Sequence, residues 1–364
     1  MIIKKIQLNN FRNYEKQVLE FDKGINIIYG ENAQGKTNIL EAIFVCSLGK
    51  SFRTSKDKEL IKISQEAAMI EIDAVKKDRN INIKLELNDL KRFYINKIAL
   101  EKISDLLGNI YVVLFTPEDI GMLKNEPSKR RRFLNIMISQ LRPIYVHELN
   151  QYNKVLEQRN NYLKQIRVEG KEESALEIWD EQLVKLGIKI YNYRKEFIDK
   201  INNKIEGIHL KTTDNKEKIR IEYKSNIEEA EYLEKITERR KVDIIKGYTT
   251  RGIHRDDFEI YINDKESSIY GSQGQIRSAI ISLKLAEAEV IYDEIEERPV
   301  LLLDDFMSEL DKKRIQGFLE NIQESQVIIT CTDSFKISNS EYNLYKVTNA
   351  NIETIAGKKK VQKR

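Results

Sequence analysis

The chain has 364 residues and a formal net charge of +4, with 41% hydrophobic and 33% charged residues. This composition is typical of a soluble globular protein with two domains, or one domain carrying an insertion. It excludes a membrane protein, since no apolar run approaches the roughly 20 residues of a membrane span. Two cysteines, Cys46 and Cys331, predict a reduced cytoplasmic protein without disulfides or a zinc site. Met1–Lys5 does not resemble a secretory signal, and so small a net charge permits nucleic-acid binding without arguing for it.

Residues 4–21 predict two strands around a polar turn, because apolar residues such as Ile6 and Leu8 flank residues 9–14. Arg12 lies in that turn and could contact a nucleotide bound by the following loop. It could equally be an ordinary surface arginine, and the local sequence leaves both interpretations open.

A phosphate-binding loop follows a short apolar strand over residues 25–28. Its spacing is G-x-x-x-x-G-K-[ST], and an apolar helical pattern continues to Leu48, so the loop has the flanking strand and helix that the motif requires. The loop residues are Gly30, Glu31, Asn32, Ala33, Gln34, Gly35, Lys36 and Thr37. Backbone N–H groups and the helix start favour a polyphosphate. Lys36 would reach the β- and γ-phosphates and Thr37 would be a ligand of Mg²⁺, so the sequence predicts a nucleoside triphosphate site.

After the loop helix, residues 49–56 are small and basic, and strands follow. Four strands are predicted, over residues 69–75, 80–87, 93–98 and 110–115. Basic residues of this segment and of a later helix are candidates for contacts with DNA phosphates. They are Lys50, Arg53, Lys56, Arg130 and Arg131. The alternatives are a solvated cluster on the later helix, and an Arg53 side chain that points to the γ-phosphate.

The composition changes after residue 124, where helical patterns replace strands. Apolar residues recur at alternating spacings of four and three over residues 145–166 and 179–205, which predicts an antiparallel helical hairpin. At 1.5 Å per residue its first helix would be roughly 33 Å long, so very long helical arms are excluded. A further helix is predicted over residues 228–245. We predict a helical lobe at 125–245 between two halves of one α/β domain, 1–124 and 246–364.

Two further segments extend the candidate site. Ser272, Gln273, Gly274 and Gln275 precede a long helix that starts near Ile276, and its unpaired N–H groups could bind a second phosphate. This makes sense if two protomers stack head to tail, while the alternative is a simple helix cap at Ser272. The apolar strand that starts at Val300 ends in two carboxylates. If it lies beside the loop strand, Asp304 would approach Mg²⁺ and Asp305 would orient or deprotonate the attacking water.

Together these motifs resemble the SMC-type branch of the ATP-binding-cassette ATPases, and within it the RecF family of bacterial recombination mediators. The matching motifs occur in order over nearly the whole chain. They are Asn9 with Phe11-Arg12-Asn13-Tyr14, Gly35-Lys36-Thr37-Asn38, Ser51-Phe52-Arg53-Thr54, Thr116-Pro117-Glu118-Asp119, Arg130-Arg131-Arg132-Phe133-Leu134, His254-Arg255-Asp256-Asp257, Ser272-Gln273-Gly274-Gln275, Asp304-Asp305 and Ser308-Glu309-Leu310-Asp311. One departure is Gly252-Ile253, where the family pattern has Gly-Pro.

The resemblance implies an α/β, ABC-type ATPase head with a mixed sheet, which binds ATP and Mg²⁺ and carries an inserted all-α hairpin lobe. It implies that residues 272–275 are a signature loop acting in trans, that residues 308–311 cross the dimer and that residues 330–332 are a switch segment. It also implies ATP-dependent head-to-tail dimerisation on double-stranded or gapped DNA and weak hydrolysis that serves as a switch. The implied partners are RecR, RecO and RecA, in gap repair, replication restart and the SOS response, in the cytoplasm at the nucleoid.

Other classes of protein fit the sequence less well. A phosphate-loop kinase needs an acceptor pocket that the sequence does not locate, and an ATPase-linked nuclease needs a further domain. A short SMC-like structural clamp is the other alternative. Such clamps need long coiled-coil arms and a hinge, and the predicted hairpin is far too short for them. His254-Arg255-Asp256 matches a protein-kinase catalytic loop only superficially, since the downstream Asp-Phe-Gly segment is missing. A hydrogen-bonded turn is favoured there over a metal site.

Overall fold

A computed structural model describes residues 1–77, 79–124, 126–305, 318, 322, 324–333 and 342–358. The strands are β1 (Ile2–Phe11), β2 (Tyr14–Glu20), β3 (Ile25–Tyr29), β4 (Ala68–Lys76), β5 (Arg79–Leu87), β6 (Lys91–Ile95), β7 (Ile98–Ala99), β8 (Val112–Phe115), β9 (Ile219–Lys224), β10 (Asp257–Ile262), β11 (Lys265–Glu266), β12 (Val300–Asp304), β13 (Val327–Cys331), β14 (Tyr342–Thr348) and β15 (Asn351–Lys358). The α-helices are α1 (Lys36–Leu48), α2 (Pro127–Leu141), α3 (Pro143–Glu169), α4 (Leu176–Thr212), α5 (Tyr232–Glu238), α6 (Arg240–Lys246), α7 (Ser267–Tyr270) and α8 (Gln273–Ile295). Short 3₁₀ helices cover Asp57–Leu60, Ile103–Leu106, Pro117–Leu123, Glu173–Ala175, Glu229–Glu231 and Ile253–Arg255. None of the helices in these ranges is long and apolar enough to cross a membrane.

The described residues cluster into two compact units. The first unit contains Met1–Ile120, Gly207–Asn215 and the described residues from Arg277 onward, and the second contains Gly121–Glu206 and Lys216–Ile276. The predicted borders fall after residues 124 and 245. In the structure, residues 246–276 belong to the second unit, whereas the prediction placed them in the α/β domain. The assignment of functional domains stays a prediction.

An antiparallel sheet in the first unit has the strand order β2-β1-β4-β5-β6-β7. Burial alternates along β4 and β5, so one face of each strand contributes to the core. The strands predicted over 4–21, 69–75 and 80–87 are confirmed. The strand predicted over 93–98 is wrong in its second half, because Asn96 and Lys97 adopt positive φ values of 49° and 71° and form a turn between β6 and β7.

The second sheet of the first unit has the order β15-β14-β3-β13-β12-β8. From β14 to β8 all neighbours are parallel, and β15 pairs antiparallel at the edge. The loop strand β3 and the carboxylate-ending strand β12 are therefore not neighbours, which corrects the prediction that β12 lies beside β3. β13 lies between them, and all its residues are buried.

The second unit contains the sheet β11-β10-β9 and the helical hairpin up to Glu206 of α4. Contacts between α3 and α4 run in opposite directions along the two helices: Arg159 meets Asp180, and Glu148 meets Lys189. The hairpin is therefore antiparallel, as predicted. α3 is 27 residues long and α4 is 37, which at 1.5 Å per residue is roughly 40 and 55 Å.

The predicted first helix was too short, because α3 begins at Pro143. Proline is favoured at the first helical position, where no intrahelical N–H donor is needed. Arg159, which interrupts the apolar pattern, is fully buried and bonds Asp180 at 2.6 Å and Asp243 at 2.8 Å. The single helix predicted over 228–245 is divided into α5 and α6.

Candidate nucleotide-binding site

The phosphate-binding loop lies between β3 and α1, as its sequence predicts. Gly30 has a φ of 156° and Gly35 has a φ of 109°, which L side chains rarely adopt. A Cβ atom on Gly30 would lie 2.4 Å from the carbonyl oxygen of Val347. Gly30 is thus required by the close approach of another backbone segment, and Gly35 by its left-handed conformation.

Lys36 occupies the inside of this loop. Its Nζ donates to the carbonyl oxygens of Gly30 at 2.6 Å and Glu31 at 2.9 Å, and the residue is buried. Residues 31–33 are exposed and Gln34 is half-buried. An ammonium group binds a charged phosphate oxygen more strongly than a neutral carbonyl. A polyphosphate in the loop would therefore compete favourably for Lys36.

Thr37 and Asp304 are in direct contact although 267 residues separate them. The Thr37 hydroxyl donates to Asp304 Oδ1 at 2.7 Å, and the Thr330 hydroxyl donates to the same oxygen at 2.7 Å. Thr330 also accepts from the backbone N–H of Asp305 at 3.0 Å. Burial raises the pKa of the Asp304 carboxyl above its ordinary value, while the two threonine hydroxyls oppose that shift. The parallel register explains the contact, since Thr330 pairs with Asp304 on one side and with Ile28 on the other.

These oxygen donors fit a magnesium ion. Mg²⁺ prefers hydroxyl, carboxylate, water and phosphate oxygens, and commonly uses only one or two protein carboxylates. Within the described residues there is no group of three or more His, Cys, Asp or Glu side chains that could hold a metal by themselves. The Thr37–Asp304 pair thus has the chemistry of a site completed by a phosphate ligand.

Arg12, a predicted nucleotide contact, is bound to the helix that follows the loop. Its Nε and Nη2 donate to Glu41 at 2.8 and 2.6 Å, and its Nη1 donates to the carbonyl oxygen of Glu59 at 2.7 Å. The backbone of Arg12 has a φ of 54°. A role for Arg12 in ATP binding stays a prediction.

The basic residues of segment 49–56 are exposed, as a phosphate-binding surface requires. Lys50 is exposed, and the side chains of Arg53 and Lys56 are 44% and 77% accessible. Arg53 Nη1 donates to Asn38 Oδ1 at 2.8 Å, so this arginine lies next to the first turn of α1.

The structure corrects the assignment of Arg130. This side chain is buried, donates to both oxygens of Asp257 at 2.6 Å, and donates to the carbonyl oxygen of Met122 at 2.6 Å. A buried guanidinium held in a bidentate ion pair is not available to a DNA phosphate, so Arg130 stabilises the second unit instead. Arg131 is half-buried and donates to the carbonyl oxygen of Asp256 at 2.9 Å.

Ser272, a residue of the second unit, caps the long helix α8. Its Oγ accepts from the N–H of Gln275 at 3.3 Å, and the Gln275 side chain accepts from the N–H of Ser272 at 3.0 Å. This reciprocal pair is a capping box. Ser272 and Gln273 are exposed, and Gly274 and Gln275 are half-buried. Ser272 therefore caps the helix, and its role in trans stays a prediction. The capping bond uses only the Ser272 oxygen, so the hydroxyl proton remains available. Residues 308–311, predicted to cross a dimer, lie outside the described residues.

His254 in the family motif is part of a hydrogen-bonded turn in the second unit. Its Nδ1 lies 2.9 Å from the Tyr152 hydroxyl, and its Nε2 lies 3.1 Å from the carbonyl oxygen of Thr249. A carbonyl can only accept, so Nε2 carries the proton and Nδ1 accepts from the tyrosine. Burial lowers the pKa of His254 to about 4. Both ring nitrogens are engaged, which favours the turn over a metal site.

The departure at Gly252-Ile253 has a local explanation. Gly252 has a φ of 131°, and a Cβ there would lie 2.6 Å from the Tyr152 hydroxyl oxygen. The N–H of Ile253 donates to the Tyr232 hydroxyl at 3.1 Å. Proline has no N–H, so isoleucine supplies a hydrogen bond that the family's proline lacks.

Acidification is expected to destabilise the protein through His254. The unfolded pKa is 6.5 and the folded one about 4, so the unfolded chain takes up the proton first. The stability is present above pH 6.5, falls as the pH decreases toward 4, and amounts to about 3 kcal/mol. Urea unfolding at several pH values should show a shallower loss for His254→Gln than for the wild type. His147→Gln, at an exposed position on α3, should keep the wild-type slope. Equal slopes for His254→Gln and the wild type would contradict this expectation.

Glu41 was not predicted as a residue of the site, and Asn38 and Thr330 were named only within family motifs, without their contacts to Arg53 and Asp304. Glu41 is the one acidic residue in the otherwise largely apolar helix α1, and a charge on a buried helix indicates an ionic partner elsewhere. That signal was present in the sequence. The contact of Thr330 with Asp304 was not, because it depends on the strand order.

The parallel strands that carry the loop and the Asp304-Asp305 pair, together with the antiparallel sheet of the first unit, define an ABC-type ATPase head of the SMC kind. The family model for the RecF/RecN/SMC N terminal domain matches residues 2–355. The chain belongs to the RecF family, a family of DNA replication and repair proteins.

Individual relatives agree with this family. The "DNA replication and repair protein RecF" of Acetivibrio thermocellus is 43% identical over 359 residues, which cover 95% of this chain and 97% of that protein. The protein of the same name from Clostridium botulinum is 42% identical over 366 residues, covering 98% and 100%. The solved structure described as the "recombination mediator protein RecF-ATPrS in RecFOR pathway" has a TM-score of 0.90 and 37% identity, covering 98% of each chain. An SMC head bound to the C-winged helix domain of ScpA has a TM-score of 0.59 at 17% identity, which shows the shared fold alone.

Proposed function

We propose that this protein is an ATP-dependent DNA-binding protein of recombinational gap repair and replication restart. It binds ATP with Mg²⁺, dimerises head to tail on DNA, and hydrolyses ATP slowly to end that state. The observation that carries the proposal is the contact of the Thr37 hydroxyl with Asp304 at 2.7 Å, beside a loop wrapped around Lys36. A relative of 37% identity is described as a RecF-ATP structure, which supports ATP as the nucleotide.

In this proposal the backbone N–H groups of residues 30–37 bind the phosphates, and Lys36 neutralises the charge of the β- and γ-phosphates. Thr37 and Asp304 would hold Mg²⁺, which when bound neutralises charge on the β- and γ-phosphate oxygens. Asp305 would orient the attacking water and accept its proton. Its backbone N–H is fixed by Thr330 at 3.0 Å, which supports a defined position at the end of β12.

The second half of each site would come from another copy of this chain. Ser272 is exposed, and its hydroxyl proton is available to a γ-phosphate oxygen of the opposite protomer. The N–H groups at the start of α8 add partial positive charge in the same place. ATP would then link two protomers, and its hydrolysis would release them.

Ser272→Arg is expected to leave nucleotide binding by the monomer intact and to weaken ATP-dependent dimerisation by roughly 100-fold. The reason is that a long charged side chain at a close interface cannot be accommodated without displacing the partner's phosphates. Light scattering with ATP measures the dimer, and a fluorescent nucleotide measures binding. Ser174→Arg is the matched control, because Ser174 is exposed in the 3₁₀ helix between α3 and α4. Normal dimerisation of Ser272→Arg would refute the in-trans site.

We place DNA contacts of the first unit at Lys50, Arg53 and Lys56, which are exposed. No base-reading motif is evident, so binding to double-stranded or gapped DNA would be through backbone phosphates. With three phosphate contacts, affinity should fall by about 40-fold when salt rises from roughly 50 to 200 mM. Lys50→Glu should lower both affinity and salt slope, and Lys23→Glu, exposed elsewhere in the first unit, should not. An affinity that stays flat over this salt range would rule out the phosphate contacts.

The protein partners follow from the relatives. Structures of RecF are described in the RecFOR pathway, so RecR and RecO are the expected partners, with RecA loading as the outcome. We place the protein in the cytoplasm, associated with the nucleoid. The head would comprise residues 1–124 and 246–364 and the helical lobe residues 125–245.

The decisive experiment measures oligomeric state and DNA binding together, with ATP, with ADP and without nucleotide. A compact dimer that forms only with ATP and binds DNA more tightly is the expected result. Monomers under all three conditions would refute the switch. A kinase or a long structural clamp is less well supported, since the hairpin helices of 27 and 37 residues are far too short for long arms.

A further inference from the structure

Glu41 is a fully buried carboxylate that joins three segments of the candidate site. It lies on α1, directly after the phosphate-binding loop. Both of its oxygens accept from Arg12, at 2.6 and 2.8 Å, and one also lies 3.3 Å from Arg53 Nη1. The Ser51 hydroxyl donates to it as well, and Ser51 Oγ accepts from the N–H groups of Arg53 and Thr54. A charge buried in this way is stable only because these partners replace water.

The two arginines are held very differently. Arg12 makes a bidentate pair with Glu41 and a third bond to a backbone carbonyl, and its side chain is only 17% accessible. Arg53 makes one bond to the neutral Asn38 amide at 2.8 Å and one longer contact to Glu41, and it is 44% accessible. Arg12 is therefore the fixed guanidinium. Arg53 can leave at the cost of one hydrogen bond to Asn38 and one longer contact to Glu41.

The charges in this cluster do not balance. The two guanidinium groups share the Glu41 carboxylate, and the Glu59 carboxylate, which also lies near Arg12, is paired with Lys56. This leaves an excess of one positive charge next to the loop proposed to bind phosphates. A phosphate oxygen is a strong charge-assisted acceptor for a guanidinium. It would compete with Glu41 for Arg53, but not easily for Arg12.

We propose that Glu41 is a positioning residue that fixes Arg12 and retains Arg53 in a withdrawn position, from which a phosphate group recruits it. The inference rests on the proposed function, since it concerns the same nucleotide site. The recruiting group is a phosphate in either case, and it comes from the γ-phosphate of ATP or from the backbone of DNA. When Arg53 leaves, the hydrogen bond from the Ser51 hydroxyl to Glu41 keeps the segment 51–54 attached to α1.

A double-mutant cycle tests this inference. The proteins are the wild type, Glu41→Gln, Arg53→Ala and the double variant, with Glu59→Gln as a control carboxylate whose side chain contacts Thr54 and Lys56 instead. Calorimetry with Mg-ATP and Mg-ADP, without DNA, forms one arm. Fluorescence anisotropy with a duplex oligonucleotide, without nucleotide, forms the other.

Glu41→Gln is expected to tighten binding about threefold to fivefold in one arm, and only while Arg53 is present. Tighter binding of ATP but not of ADP assigns the γ-phosphate, and tighter binding of the duplex assigns DNA. A change of the same size in the Arg53→Ala background, or no change in either arm, overturns the inference. If the wild type binds no Mg-ATP at all, the proposed function itself fails, which is a separate result. If Glu41→Gln does not fold, Asn38→Ser removes the other partner of Arg53 and should give the same Arg53-dependent tightening.

Discussion

Lys36→Ala is expected to abolish nucleotide binding, with a loss of affinity of at least about 100-fold. The Lys36 ammonium is buried inside the loop and bonds two loop carbonyls at 2.6 and 2.9 Å. Alanine removes the only charge at that position. It also leaves those carbonyls without their donor, so the loop loses both its cation and its shape. Calorimetric titration with Mg-ATP measures the effect.

Lys16→Ala is the matched control, because Lys16 is an exposed lysine on β2 of the same unit. It should bind Mg-ATP as the wild type does. Thermal unfolding of both variants separates loss of the site from loss of the fold. If a folded Lys36→Ala variant retained wild-type affinity, the loop would not be the phosphate site.

Asp305→Asn is expected to keep Mg-ATP binding and to lower the hydrolysis rate by about 100-fold to 10,000-fold. Asparagine has nearly the same shape but cannot accept a proton from water. Its backbone can still donate to Thr330, so the end of β12 should keep its geometry. The variant should therefore accumulate as an ATP-bound dimer. Phosphate release and light scattering measure the two effects.

Asp89→Asn, at an exposed turn of the same unit, should hydrolyse ATP at the wild-type rate. Undiminished turnover by Asp305→Asn would remove Asp305 from the proposed role. A variant that neither binds nor hydrolyses would point instead to a structural role at the end of β12.

Contiguous sequence predicted the local parts of this protein. The loop with Lys36 and Thr37 was recognisable because its eight residues are adjacent, and the hairpin because its apolar residues repeat at helical spacing. The errors are also local in origin: the strand predicted over 93–98 includes a turn, and the single helix over 228–245 is divided in two. Apolar residues lie directly on both sides of the Asn96-Lys97 turn, so the apolar pattern alone did not separate the two short strands.

The assembly of the site was not predictable in the same way. The sequence suggested that β12 lies next to β3, whereas β13 lies between them and supplies Thr330. Arg130 is a residue type that commonly contacts DNA phosphates, but its guanidinium is paired with the Asp257 carboxylate. The strand order and the Arg130–Asp257 pair both depend on residues more than 20 positions apart in the sequence. Patterns within one sequence contain no information on which distant residues meet.

The sequence by itself predicted a phosphate-binding loop and the residues that would contact the phosphates, because backbone turns and helix starts are set by neighbouring residues. The tertiary structure alone decided which charges remain available. Glu41 is buried and engages Arg12 and Arg53, and Asp304 meets Thr37 across 267 residues. The physical reason is that a buried charge must find its counter-charge in space, and chain folding brings that partner from a distant segment.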